Sequence, residues 1–402
     1  MKIVGIVAEY NPFHNGHLYH LNKAKELSEA EHSVAIISSN FVQRGEPSIF
    51  SKWQRAEMAV RNGVDLVLEL PVLYSSRSAY HFAFGSIFSL EKSNVITHLA
   101  FGSENPDLSE LNKISELLAN ENSEFKILLK KYLKTGQSYP KSREKAIKEY
   151  FPDLSVDLNQ PNIILGINYL KVLKELNSKI KPVPIQRIGN YHGLKPVNNI
   201  AGATLIRNLM KKNDFSYKNF LTEETNKVVE YNINQDFTPV FIDDFTTQIM
   251  YQLRRMKKNE FLDFPGVSEG LENKFLSSLC DNTSLDNLIS SVKSKRFTET
   301  RIKRILIEIL LGINKSFENS KPEYLRILAF NDKGRDIIAK IKEKSSLPVI
   351  TKFADFYKES SPNSKLQLDL EITSSNIYSQ VQKSKNHNSY NQEFTMSPLY
   401  LS

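Results

Sequence analysis

A single cysteine, Cys280, stands in a chain of 402 residues. That excludes an internal disulfide and any zinc site built from cysteines. Long apolar runs are missing as well. The stretch from Ile305 to Ile313 is interrupted by Glu308 and falls far short of the roughly 20 residues that span a bilayer. The amino-terminal Met1-Lys2-Ile3-Val4-Gly5-Ile6-Val7 begins like a signal peptide, but Glu9 cuts its apolar region short. Internal repeats and low-complexity segments are absent, and no cluster of metal-ligating side chains is visible, so no resident metal is expected. Nor does one sign of charge dominate: 53 Lys+Arg against 45 Asp+Glu leave +8, which over this length speaks for solubility and little else. These absences point to a soluble, cytoplasmic protein with no membrane partner. Hydrophobic residues make up 40% and charged residues 24%, enough to bury a sizeable core in two or three domains.

The first hundred residues alternate between two periodicities. Ile3-Val4-Gly5-Ile6-Val7-Ala8, Ser33 to Ser38, Val64 to Leu70 and Thr97 to Phe101 are short apolar runs of the kind that form buried parallel strands. Between the first two, Leu18, Leu21, Ala24 and Leu27 recur at helical spacing. Ser51 is placed to cap a second helix, and Gly63 to end it. The pattern predicts an α/β fold with a doubly wound parallel sheet, whose ligands bind at the carboxyl ends of the strands. Helices are expected over 108–133, 162–176 and 203–212, with an extended strand at 182–188. A domain boundary is placed near 212. Residues 1–212 would form the catalytic, ATP-binding domain and residues 213–402 a mostly helical second domain. Leu325 to Phe330, a helix from Arg335 and Leu347 to Thr351 would give the latter a small strand–helix–strand unit. The polar segment 386–402 is expected to fray or pack loosely.

The most informative segment is Glu9-Tyr10-Asn11-Pro12-Phe13-His14-Asn15-Gly16-His17. It leaves the first strand and enters the first helix, where exposed amides and the helix dipole favour an anion. Gly16 lets the backbone come close to a ligand. His14 and His17 would donate hydrogen bonds to charge developing on a pentacoordinate phosphorus, with no covalent chemistry asked of the protein. The segment closely resembles the His-x-Gly-His motif of the nucleotidylyltransferase superfamily, which attacks the α-phosphate of ATP or CTP and releases pyrophosphate. Ile200-Ala201-Gly202-Ala203-Thr204-Leu205-Ile206-Arg207 resembles that superfamily's second phosphate motif, with Gly202 where a serine is usual. Thr204 and Arg207 would then face the β- and γ-phosphates. The glycine removes one hydroxyl donor.

A narrower likeness follows from Phe41-Val42-Gln43-Arg44-Gly45-Glu46-Pro47, Asp65 to Pro71, Phe101-Gly102-Ser103-Glu104, Asn162 to Gly166 and Lys295 to Arg304. With the histidine segment, these are similar to the bacterial tRNA(Met) cytidine acetate ligase family over residues 1 to about 380. The resemblance implies that acetate and ATP form acetyl-adenylate. The acetyl group then passes to N4 of the wobble cytidine of elongator tRNA(Met), with Mg²⁺ carried on ATP. It also implies that Val7-Ala8-Glu9-Tyr10-Asn11-Pro12-Phe13-His14-Asn15-Gly16-His17-Leu18-Tyr19-His20 line ATP, together with Gly102, Asn162, Arg187 and Ile188. The competing reading is an adenylyl- or cytidylyltransferase acting on a small phosphorylated metabolite, which would not require so long a second half.

That second half carries two basic clusters, Arg254-Arg255 with Lys257-Lys258, and Lys293 to Arg304 with six cations and the single acid Glu299. Such a stripe attracts an RNA backbone, and tRNA contacts are expected from Arg254, Arg255, Lys295, Arg296, Arg301 and Arg304. On a helix from Thr300, Arg301 and Arg304 share a face while Ile302, Ile305 and Leu306 turn inward. Phe297 is a candidate to stack on a splayed anticodon base.

Overall fold

The computed structural model describes residues 1–188, 199–384 and 386–402. In chain order its strands begin with β1 (Ile3–Ala8), β2 (His32–Ser38), β3 (Phe41–Val42), β4 (Glu46–Pro47) and β5 (Leu66–Leu70). They continue with β6 (His98–Ser103), β7 (Lys181–Gln186), β8 (Leu325–Phe330), β9 (Val349–Ile350) and β10 (Leu399–Tyr400). All but β3 and β4 join one sheet in the order β10-β8-β5-β2-β1-β6-β7, with β9 also paired to β8. The five strands from β5 to β7 are parallel, with Val4 opposite Ser33 on one side and His98 on the other. The chain winds outward from β1 through β2 to β5, then returns to β6 on the other side of β1. The order therefore reverses between β1 and β6, and a crevice opens there at the strands' carboxyl ends.

Two helices set the loops around that crevice. The first, α1 (Asn15–Ser28), buries Leu21 and Ala24 against the sheet. The second, α2 (Lys52–Arg61), starts at a capping box in which Ser51 Oγ accepts from the Gln54 amide at 3.3 Å and Gln54 Oε1 accepts from the Ser51 amide at 2.8 Å. Helices at Leu108–Ala119, Ser123–Leu133, Pro161–Glu175 and Ala203–Lys211 occupy the stretches expected from spacing.

The last eighty residues differ from the expectation. Leu325–Phe330 does not build a separate unit but extends the central sheet, antiparallel to β5, with Leu66 opposite Phe330. Every residue of β5 is buried, so leaving it as an edge would strand a row of backbone groups in an apolar setting. The tail, expected to pack loosely, contributes β10 and a fully buried Glu393. One apolar core runs from Ile3 to Tyr378, so residue 212 marks no break in packing. No helix among the described residues is long and apolar enough to cross a membrane.

What fastens the tail is a cluster of buried charges. Lys52 Nζ lies 2.6 Å from Glu69, 2.7 Å from Glu393 and 3.6 Å from Glu371. Arg326 reaches Glu69 at 3.3 Å and pairs with Glu393, its guanidinium lying over Phe353 and Trp53. Burial opposes charge on Glu393, but Arg326 and Lys52 overcome it and hold the carboxyl down at about 2. Burial and the charge of Glu69 push Glu371 the other way, well above the carboxylate range. The cluster thus gathers two cations and three acidic side chains, with a proton favoured on Glu371. Removing one member leaves charge unmatched in the core. We expect Lys52→Met to cost about 3–5 kcal/mol, read as a lowered midpoint in urea unfolding; an unshifted midpoint would show that the cluster does not hold the fold.

Candidate active site

The loop after β1 is bent sharply by Tyr10, whose φ is 47°, and by a cis peptide between Asn11 and Pro12. His14 is the N-cap of α1. Its Nδ1 accepts the Gly16 amide at 3.1 Å, and Nδ1 of His17 accepts the His14 amide at 3.3 Å. Both Nδ1 atoms therefore carry no proton, and each neutral ring presents Nε2–H. The two rings stack with centroids 3.7 Å apart. A Cβ on Gly16 would meet His14 Cε1 at 3.0 Å, so glycine is what allows the ring to fold back over the helix start. Tyr10 and Phe13 are buried with centroids 4.9 and 5.6 Å from His17. Asn15 turns away to donate to the Asn199 carbonyl at 3.0 Å. Val7 and Ala8 are half-buried at the end of β1, while Leu18 and Tyr19 pack against the core.

Other predicted residues converge from across the crevice. At the end of β6, the stem of Arg187 and the ring of His20 would flank a Cβ on Gly102, at 3.5 and 4.0 Å. The Arg187 amide bonds the Ser103 carbonyl at 3.0 Å, and Ile188 is half-buried beside it. Asn162, in the first turn of its helix, donates to Glu104 Oε1 at 2.5 Å. Arg207, buried on the helix Ala203–Lys211, donates to the Asn11 carbonyl at 3.1 Å and to Thr204 Oγ1 at 3.4 Å. The second phosphate motif is thereby docked onto the histidine loop. Nothing lies within 4 Å of a Cβ built on Gly202, so the serine it replaces would fit without a clash.

Two supports escaped the sequence reading. Arg55, fully buried on α2, donates to the carbonyls of Phe50 (3.0 Å), Glu9 (2.5 Å), Ser38 (2.7 Å) and Ser39 (2.5 Å). It gathers the carboxyl ends of β1 and β2 on one guanidinium. The other is the β3–β4 hairpin, whose Gln43 amide donates to Glu9 Oε1 at 3.1 Å. Its Arg44 lies near enough to Arg187 and Arg207 to disfavour charge on both. A cation on the apolar face of α2, and a Gly-containing turn after β2, were the available signals.

The basic clusters divide. Arg254 and Arg255 are exposed, with the Arg255 guanidinium 5.4 Å from the ring of exposed Tyr251. Lys295 and Arg296 are also exposed, Arg296 beside Glu269 at 2.7 Å. Arg301, in contrast, is bound to the Gly266 carbonyl at 3.1 Å and Ser268 Oγ at 2.8 Å, and burial lowers the pKa of Arg304 against the pull of Glu308. Phe297 is buried in the core under Arg301 and is not exposed for stacking. The run of cations looked unopposed because Glu269, Glu46 and Glu308 come from outside its first turn.

A profile of the HIGH nucleotidyl transferase family matches residues 1–393. The tRNA(Met) cytidine acetate ligase of Alkaliphilus metalliredigens is 41% identical over 424 residues, covering 100% of this chain and 99% of its own. That of Thermoanaerobacter sp. (strain X514) is 40% identical over 390 residues, covering 95% and 96%. The crystal structure of Thermotoga maritima TmcAL bound with alpha-thio ATP matches this fold with a TM-score of 0.93, at 34% identity and full coverage of both chains. The chain belongs to the tRNA(Met) cytidine acetate ligase family.

In this member of the ligase family His14, His17 and His20 are all held below their ordinary pKa. Burial, with Arg187 and Arg207, pulls His14 down to about 3. Burial and Arg187 take His20 to about 4, and burial with neighbouring His14, His20 and Arg187 puts His17 well below its ordinary value. Unfolded, each ring would take a proton below about pH 6.5. The native state binds fewer protons than the unfolded one between those limits, so this contribution to stability is complete above about pH 6.5 and is lost as the pH falls toward 3. Replacing His20 by Phe should flatten the slope of stability against pH between about 4 and 6 by close to one proton, measured by urea unfolding across that range. An unchanged slope would contradict a buried, neutral imidazole.

Proposed function

We propose that the chain activates acetate with ATP and acetylates N4 of the wobble cytidine of elongator tRNA(Met). The observation that carries this reading is the pair of Nε2–H donors on His14 and His17, set at the start of α1 beside Arg187 and Arg207. An acetate oxygen would attack the α-phosphorus as the bond to the β-phosphate oxygen breaks, giving acetyl-adenylate and pyrophosphate. The two imidazoles would donate to the equatorial oxygens without adding charge, and Thr204 with Arg207 would hold the β- and γ-phosphates. Mg²⁺ would arrive on the nucleotide. Gly102, Asn162, Arg187 and Ile188 would border the adenosine. The cytidine amine then attacks the acetyl carbon, AMP leaves, and the amine loses a proton.

A mixed anhydride hydrolyses readily, so it must be kept from water until an anticodon base is delivered. In this reading residues 1–212 make the adenylate, while tRNA is held largely by surfaces of residues 213–402. The exposed cations Arg254, Arg255, Lys295 and Arg296 fit that task better than Arg301, which the Gly266 carbonyl and Ser268 already hold, or the half-buried Arg304.

Replacing His14 or His17 by Ala should lower acetate-dependent exchange of pyrophosphate into ATP by roughly 10²-fold; exchange at the wild-type rate in both variants would refute the assignment. Neutralising Arg254 and Arg255 together should reduce the slope of log affinity for tRNA against log salt by about 1–2, with ATP binding unchanged. Nucleoside analysis of tRNA(Met) incubated with the protein, ATP and acetate tests the whole reading, since N4-acetylcytidine must appear only when all three are present.

A further inference from the structure

The carboxylate of Glu46, on β4, stands between two cations of different purpose. Its Oε2 lies 3.9 Å from Arg207 and its Oε1 2.9 Å from Lys303. Lys303 belongs to the helix Glu299–Leu311, the basic helix of the second half, and has a second partner in Glu299 at 3.3 Å. The hairpin that carries Glu46 is seated on that helix at van der Waals contact or closer. Gly45, with φ of 73°, lies so near that a Cβ would fall 2.3 Å from the Arg304 backbone nitrogen. On its other side the same hairpin is tied to Glu9 of the nucleotide loop. Glu46 and Lys303 each keep about a fifth to a quarter of their side chains exposed (25% and 19%), so the bridge can be reached by a ligand.

We propose that Glu46 is a positioning residue that exchanges between Lys303 and Arg207, so that an RNA phosphate on Lys303 turns Glu46 onto Arg207 and helps expel pyrophosphate. The inference rests on the function proposed above, in which Arg207 holds the β- and γ-phosphates. One carboxylate cannot neutralise both cations fully. In the free protein it favours Lys303, at the shorter distance, and leaves Arg207 for the polyphosphate. An RNA phosphate that takes Lys303 releases Glu46, whose other ion-pair partner among the described residues is Arg207. There it competes with the phosphates. The two ligands therefore oppose one another through one side chain, and by linkage the opposition is reciprocal. Its use follows from the order of the chemistry. Pyrophosphate left in place can reverse adenylate formation, whereas its loss as tRNA arrives commits the acetyl group to the amine.

Binding of inorganic pyrophosphate to the full chain, measured by calorimetry with and without a saturating tRNA(Met) transcript, tests this. In the wild type, tRNA should weaken pyrophosphate binding by about tenfold, within the usual range of such couplings. Lys303→Met should weaken it to a similar extent with no RNA present, because Glu46 is then free to turn onto Arg207. Adding Glu46→Gln to that variant should restore the affinity, which a general disturbance of the fold would not do, and Glu46→Gln alone should abolish the effect of tRNA. Independent binding of tRNA and pyrophosphate in the wild type, or a Lys303→Met defect that Glu46→Gln does not rescue, overturns the proposal. A tRNA that fails to bind at all overturns it differently, by removing the RNA-binding function on which it rests.

Discussion

The fold depends on matching charge where water is absent. Lys52 and Arg326 draw three glutamates from three places in the chain, β5, the helix Pro362–Gln380 and the segment around Glu393, into one fully buried cluster. Apolar residues of the same volume could pack as tightly, but they would not dictate which partner each segment meets. A buried lysine left without its carboxylates is costly, so the alternatives in which β8 or the tail docks elsewhere are penalised. The effect reaches the active site through α2. Lys52 points from its first turn into the cluster, and Arg55, one turn on, gathers the carbonyls of Glu9, Ser38 and Ser39. The loop that presents His14 is therefore held by the same short helix that the charge cluster seats.

Electrostatics within the crevice follow a different rule, since there several guanidiniums lie close to one another. Arg44 sits close enough to Arg187 and Arg207 to raise the cost of their protonated states, and α1 has no acidic residue in its first turn to quench its dipole. Such a concentration of positive charge favours the entry of a polyanion. The histidines suit this setting because they remain neutral. A charged imidazolium would add repulsion to the arginines, whereas Nε2–H of a neutral ring supplies a donor and no charge. The hydrogen bonds from the Gly16 and His14 amides fix that tautomer, so the backbone at the helix start sets the chemistry of both side chains.

Much of this was legible in the residue order. Short apolar runs and a 3.6-residue spacing located β1, β2, β5, β6 and the helices between them, because each of these elements carries its pattern within itself. The Asn-Pro-Phe-His-Asn-Gly-His string pointed to the candidate site, since a strand-to-helix turn with two histidines has few structural uses. Pairings over long separations were not legible. Nothing local to Leu325–Phe330 shows that it lies against Leu66–Leu70, and nothing in the polar tail shows that Glu393 is buried, since its partners are some 70 and 340 positions away along the chain. The same limit applies to Arg301 and Arg304. A basic run read alone looks like an RNA surface, and only the arrival of Gly266, Ser268 and Glu308 shows these two guanidiniums to be engaged by protein.

The continuous core also changes what a division between two halves can mean. A packed interior transmits strain but does not yield easily, and the main core runs from Ile3 on to Tyr378 across the boundary expected near 212. Communication between a nucleotide crevice and a distant RNA surface would then need contacts that can exchange partners without repacking apolar side chains. Ion pairs at a partly exposed seam meet that requirement, and the seam between the β3–β4 hairpin and the helix Glu299–Leu311 is where they occur. Buried charge and exposed charge thus have opposite parts in this fold: the cluster at Lys52 excludes alternatives, while the bridge at Glu46 keeps two of them close in energy.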